Sequence, residues 1–172
     1  HGLDRDDHTR ADPAKLAVMR ARPDARLLSM DGLMPLMDGD ALVWTALDAV
    51  ADDAELVFLG LKDDTPLFAP VAQEGDTRPA YEQRGNRALL MQLAPRELAI
   101  YAGARSLVDW HARHRFCANC GTPTTLSKGG WQRDCAPSDN GGCGASHFPR
   151  TDPVAIMLVE HDGDLLAARE LH

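Results

Sequence analysis

The chain has 172 residues, 44% of them hydrophobic, which is enough to bury a core and to form one or two domains. Asp and Glu outnumber Lys and Arg 26 to 18, and the resulting net charge of −8 argues against general binding along a nucleic-acid backbone, where phosphate contacts dominate affinity. No apolar run approaches the roughly 18 residues of a membrane-spanning helix, and no charged-then-apolar leader opens the sequence, so a cytoplasmic protein with no membrane partner is expected.

Asp12-Pro13 sets a capping side chain before a proline suited to a first helical position, predicting a helix over 13–21 that ends before Pro23. Short apolar runs follow, punctuated by turn residues: 26–30 before Asp31-Gly32, 33–37 before Asp38-Gly39, and then 41–46. Runs 55–61 and 67–71 bracket Asp63-Asp64-Thr65-Pro66, a hairpin signal. The expectation is a small, mostly antiparallel sheet with some helix, followed by a polar connecting loop at 73–78. From Pro95 to His114 the pattern turns helical, with Ala99, Gly103, Leu107, Trp110 and His114 on one face and Glu97 placed well for the helix dipole. That helix should run out at Arg115-Phe116, directly into the first cysteine. Arg113-His114-Arg115 reads as a solvated helix end. His111 and His114 read as packing or surface residues, because no third metal partner is within sequence reach. At the far end, apolar runs 154–159 and 164–168 flank the turn signal His161-Asp162-Gly163.

All four cysteines lie together, at Cys117, Cys120, Cys135 and Cys143, in the pattern C-x2-C-x14-C-x7-C. Tetrahedral zinc needs four deprotonated ligands at about 2.3 Å, and two short turns facing each other supply that geometry. The wide second gap contains Pro137, Asn140 and two glycines, and so reads as a bulging loop. The alternatives are disulfides, free thiols, or His147 replacing Cys143 as the fourth ligand. A thioredoxin-like redox pair fits poorly, since its C-x-x-C should open a helix rather than follow one. Four thiolates would fill the coordination sphere, so this zinc would be structural, and the chemistry must come from elsewhere.

The stretch WHARHRFCANCG, with Trp131 and with Phe148-Pro149-Arg150-Thr151-Asp152-Pro153, resembles the middle of the NADH pyrophosphatase (NAD diphosphatase) branch of the Nudix hydrolases. The N-terminal LDRDDHTRADPAKL and DARLL also fit that family's entry region. The resemblance implies an α+β fold in four parts: an N-terminal Nudix-like domain over 1–94, a connecting helix over 95–116, a zinc ribbon over 117–147, and over 148–172 the first hairpin of an α/β/α Nudix domain whose remainder is absent. It further implies structural Zn²⁺, catalytic Mg²⁺ or Mn²⁺, NAD(H) or an NAD-capped RNA 5′ end as substrate, and a homodimer.

The family's catalytic box, G-x5-E-x7-R-E-U-x-E-E-x-G-U with U aliphatic, does not occur here. Arg96-Glu97-Leu98 and Arg169-Glu170-Leu171 imitate its core. The first would need Glu and Gly where Ala88 and Glu82 stand, the second where His161 and Ala155 stand. The chain alone is therefore expected to be inactive, with no catalytic residue of its own. Two substrate contacts are implied by the resemblance. Phe148 could stack on a base or nicotinamide, or else pack beneath the ribbon. Arg87 could meet a phosphate, or else form a surface salt bridge. Gly130 stands where the family can carry a glutamate. Two non-enzymatic readings remain, a stand-alone zinc-ribbon binding module and a regulatory or dimerisation piece.

Overall fold

The computed structural model describes residues 2–48, 50–51, 53–71, 87–150, 160–162 and 164–165. The architecture is α+β. Helix α1 (Asp7–Ala11), which the sequence did not announce, starts where the Asp6 carboxylate accepts the Thr9 N–H. Helix α2 (Pro13–Ala21) begins as expected, with the Asp12 carboxylate accepting the N–H groups of Ala14 and Lys15 at 2.9 and 3.2 Å.

Strands β1 (Arg26–Leu28), β2 (Met30–Asp31), β3 (Met34–Pro35), β4 (Met37–Asp38), β5 (Ala41–Leu42) and β6 (Trp44–Ala46) follow in quick succession. The pairs β2/β3 and β4/β5 form small antiparallel ladders. β7 (Leu56–Lys62) and β8 (Thr65–Pro70) form the main hairpin. Its turn is shorter than the sequence indicated: Asp63 and Asp64 both take positive φ, 49° and 67°, and Thr65-Pro66 already belong to β8. Two left-handed residues match the twist of flanking strands, which favours this tight connection. The four-stranded sheet has the order β6-β1-β8-β7, and β1 runs parallel to β8. The expectation of mostly antiparallel pairing holds for the other contacts of this sheet but not for that one.

Helix α3 (Arg87–Leu90) leads to α4 (Pro95–Arg113), the longest helix among the described residues. Its buried residues are Glu97, Ile100, Tyr101, Ala104, Leu107, Val108 and His111. The face expected from the sequence shares only Leu107 with this set, because small and amphipathic residues at 99, 103 and 110 imitate a core stripe. The true core side packs on Leu28, Val57, Leu59, Leu67 and Ala69 of the sheet. Glu97 is not a free dipole-balancing charge: its carboxylate accepts the Leu42 N–H at 3.2 Å and the Lys62 ammonium at 2.8 Å, tying α4 to β5 and β7.

Beyond α4, β9 (Thr124–Ser127), β10 (Gln132–Cys135) and β11 (Ser146–His147) form an antiparallel sheet in the order β11-β10-β9. β12 (Glu160–His161) pairs antiparallel with β13 (Asp164–Leu165), across Asp162 at φ 51°. The tip of the expected terminal hairpin is therefore present, whereas the apolar run 154–159, residues 166–168 and the loop at 73–78 lie outside the described residues. Among the described residues, no helix is long and apolar enough to cross a membrane.

Candidate metal centre

Each cysteine pair is built by a backbone turn that bends around a thiol. In the first, the Gly121 N–H donates to the Cys117 carbonyl at 2.8 Å and the Cys117 N–H to the Thr122 carbonyl at 2.8 Å. Gly121 sits at φ +76° there, a conformation that glycine adopts without strain. In the second, the Gly144 N–H donates to Ala136 and the Cys135 N–H to Ala145, both at 2.9 Å. The extra residues of the second gap turn through a short 3₁₀ segment at Ser138–Asn140, so the loop bulges as expected and Cys143 returns.

The four Sγ atoms lie within 4.8 Å of one another, with Cys117–Cys143 and Cys120–Cys135 each at 3.5 Å. Four sulfurs around a zinc at about 2.3 Å would be separated by about 3.8 Å, so this thiol set could hold a metal ion after very small shifts. Cys117 and Cys135 are buried, while Cys120 and Cys143 are exposed. As thiols they are unequal. Hydrogen bonding with the side chain and backbone of Thr122 holds Cys120 down to about 6. At Cys143 the Ala145 N–H pulls the same way, but the neighbouring thiols of Cys117 and Cys120 push it up to about 12. Metal binding takes all four as thiolates and would release the protons that the raised thiols of Cys135 and Cys143 hold. The four thiols that converge include Cys143, and His147 stands beside them. Its Nε2 lies 3.3 Å from Cys117 Sγ, where an N–H could donate to a ligand sulfur from outside the set.

The ribbon is locked to the rest of the chain by a buried polar network. Arg133 on β10 donates through Nε to the Thr124 hydroxyl and through Nη2 to the Thr124 carbonyl, both at 2.8 Å. Its Nη1 reaches His111 Nδ1 at 3.1 Å, and both terminal nitrogens reach the Glu55 carboxylate at 3.3 Å. His111 Nε2 is 2.7 Å from the Gly130 carbonyl, which fixes the tautomer: Nε2–H donates to Gly130 and Nδ1 accepts from Arg133. Burial pushes the imidazole down to about 4, with the Arg133 cation adding to the effect against the Gly130 hydrogen bond. His111 is therefore a packing residue, as the sequence indicated, and is neutral at physiological pH. Gly130, at φ +86°, packs so closely that a Cβ there would stand 2.9 Å from Val57 Cα, so no glutamate fits at this position. Next to it, Trp131 donates Nε1–H to the Phe58 carbonyl at 2.9 Å, and the guanidinium of Arg10 lies 4.3 Å from its ring centroid.

Neither Glu55 nor Arg133 carried a sequence signal. Gln132-Arg133-Asp134 reads as a polar strand, and only the fold reveals that its middle residue points inward. Phe148 is 55% exposed, so it does not pack beneath the ribbon; it stands at the edge of a cavity of about 590 Å³ with Trp110 and Trp131. Arg87 opens α3, and its side chain lies outside the described residues. His114 is exposed and stacks on Trp110, with ring centroids 5.1 Å apart.

Residues 112–148 match the family profile of the NADH pyrophosphatase zinc ribbon domain, and residues 15–110 match that of the NADH pyrophosphatase-like rudimentary NUDIX domain. The chain belongs to the NADH pyrophosphatase-like Nudix family. Among relatives in this family, it is similar to the NAD-capped RNA hydrolase NudC of Mycobacterium tuberculosis, with 30% identity covering 94% of this chain and 51% of the relative. It is also similar to NudC of Pseudomonas putida, with 29% identity over 90% of this chain and 51% of the relative. The human NAD-capped RNA hydrolase NUDT12 is 45% identical over 42% of this chain and 16% of its own length. The chain thus spans about half or less of these relatives.

Proposed function

We propose that the chain is the N-terminal and zinc-ribbon portion of a metal-dependent hydrolase that cleaves the pyrophosphate of NAD(H) to NMN(H) and AMP, including NAD carried at the 5′ end of RNA. The convergence of four thiols at the end of α4, within a chain of the NADH pyrophosphatase-like family, is the observation that carries this reading. The four-part organisation follows from it, with 1–94, 95–116, 117–147 and 148–172 as successive units, in a cytoplasmic homodimer.

In this reading Cys117, Cys120, Cys135 and Cys143 hold one structural Zn²⁺, which brings no open coordination position. The zinc fixes the ribbon, and the ribbon presents Phe148 to a base or nicotinamide; the exposure of the Phe148 ring supports stacking there. Arg87 is assigned to a substrate phosphate. Mg²⁺ or Mn²⁺ belongs to box glutamates outside these 172 residues, where it would neutralise phosphoryl charge while water adds to one phosphorus and the other phosphate leaves.

The test compares this chain with a version extended through a Nudix domain, each incubated with NADH and Mg²⁺ or Mn²⁺. AMP should be released by the extended protein and not by the 172-residue chain. Turnover by the short chain would refute the placement of the chemistry, and an inert extended protein would refute the activity. Light scattering at micromolar concentration tests the dimer, and a monomeric mass counts against it.

A further inference from the structure

The four thiols are unequal in exposure as well as in chemistry. Cys120 and Cys143 face solvent, while Cys117 and Cys135 are buried. The two 3.5 Å approaches, Cys117–Cys143 and Cys120–Cys135, each run from one cysteine turn to the other. Each therefore joins a sulfur that a solute can reach to one that it cannot. The Thr122 hydroxyl donates to the Gly141 carbonyl at 3.1 Å, a further link between the same two turns.

We propose that Cys120 and Cys143 are oxidation sites, at which hydrogen peroxide converts the cluster into two disulfides, Cys120–Cys135 and Cys117–Cys143, with release of its zinc. The inference rests on the reading of the four thiols as a zinc site. An accessible thiolate beside a resolving cysteine is the arrangement of reversible thiol sensors. The Cys120 sulfur attacks one peroxide oxygen, the O–O bond breaks, and a sulfenic acid and hydroxide result. The Cys135 thiolate then attacks that sulfur, forming the S–S bond and expelling the hydroxyl as hydroxide. Cys143 and Cys117 repeat the sequence. In sum, four thiolates, two peroxides and four protons give two disulfides and four waters. Thiolates are the metal ligands, so one Zn²⁺ leaves with the last of them.

Geometry selects those two pairs. A disulfide of about 2.05 Å requires each sulfur to move by only about 0.7 Å. Bridges across the turns also take over the metal's structural task, because they keep the turn after α4 tied to the turn after β10. Bridges within the turns, Cys117–Cys120 and Cys135–Cys143, would leave that tie to the Thr122 hydrogen bond. The contacts of Trp131 with Phe58 and of Arg133 with Thr124 and Glu55 involve no cysteine. The oxidised ribbon therefore stays docked, and a dithiol reductant reverses the change by exchange.

The experiment treats the zinc-loaded 172-residue chain with hydrogen peroxide, follows zinc with a chromogenic chelator, and digests the alkylated product with trypsin. Lys128 and Arg133 lie between the two cysteine turns, so cleavage after basic residues separates 116–128 from 134–150. Release of one zinc per chain is expected, together with a single disulfide-linked species that contains both peptides and whose fragmentation assigns the two pairs. The Trp131 indole N–H should keep its protection from hydrogen exchange in the oxidised chain. A dithiol with added Zn²⁺ should restore the starting state. Peptides that separate without reduction, or bridges paired in any other way, would overturn the proposal. Sulfinic acids in place of disulfides, zinc still bound at the end of the reaction, or a Trp131 indole that loses protection would overturn it equally. Zinc content is measured before peroxide is added. A chain that binds none would overturn the zinc reading and the release with it, whereas the linked peptides report the thiol pairing independently.

Discussion

Acidification should loosen the seam between the ribbon and the N-terminal sheet through one residue, His111. Its imidazole is neutral in the folded chain, with burial as the main cause of a pKa near 4, against 6.5 for a free side chain. Between those values the unfolded chain takes up a proton that the folded chain refuses. Stability from this source is therefore complete above pH 6.5, falls as pH falls, and is gone by about pH 4. At about 1.4 kcal/mol per unit, the loss between pH 7.5 and 5 is on the order of 2 kcal/mol. Thiol protonation and metal loss fall in the same direction, so the comparison must be with His111→Leu, which keeps the cysteines. At pH 7.5 that variant should be less stable by about 1–3 kcal/mol, having orphaned the Gly130 carbonyl and one Arg133 donor. At pH 5 the gap should shrink by about 2 kcal/mol. Urea denaturation at both pH values measures it, and ring resonances give the His111 pKa directly. A gap constant to within about 0.5 kcal/mol, or a ring titrating near 6.5, would refute the reasoning.

Gly130→Glu should destabilise the chain by about 3 kcal/mol or more, since a left-handed φ and a Cβ against Val57 must both be accommodated; denaturant midpoints test this. Cys117→Ser should lose zinc and unfold the ribbon, read by elemental analysis against one zinc per unsubstituted chain, and a folded, zinc-loaded variant would contradict the ligand set. Trp131→Phe should cost about 1–2 kcal/mol through loss of the hydrogen bond to Phe58 and part of the Arg10 contact, measurable by thermal unfolding at constant zinc.

Local chemistry made much of this molecule legible. Asp12-Pro13 announced α2, and Cys117-Ala118-Asn119-Cys120-Gly121 announced a thiolate turn, because both signals act within a few residues. The buried face of α4 lies one step round from the stripe its sequence suggests, since Ala99, Gly103 and Trp110 look apolar while the true face includes Glu97 and His111. Those two polar residues are buried only because partners arrive from distant strands: Lys62 and the Leu42 amide for one, Arg133 and Gly130 for the other. No periodicity encodes such a partner. The parallel pairing of β1 with β8 was hidden for the same reason, as strand order is a property of the assembled sheet.

The bond from Trp131 to Phe58 joins positions 73 residues apart, whereas the cysteines lie within one short stretch. Closing the thiol cluster demands only short loops, while docking the ribbon demands that β7 already exist. Since loop-closure entropy grows with separation and non-local contacts form slowly, metal capture is expected early in folding and closure of the seam late. A chelator present during refolding should therefore slow or block docking. Added afterwards, the same chelator still meets the Cys120 and Cys143 thiols at the surface, so the closed seam does not shield the cluster from it.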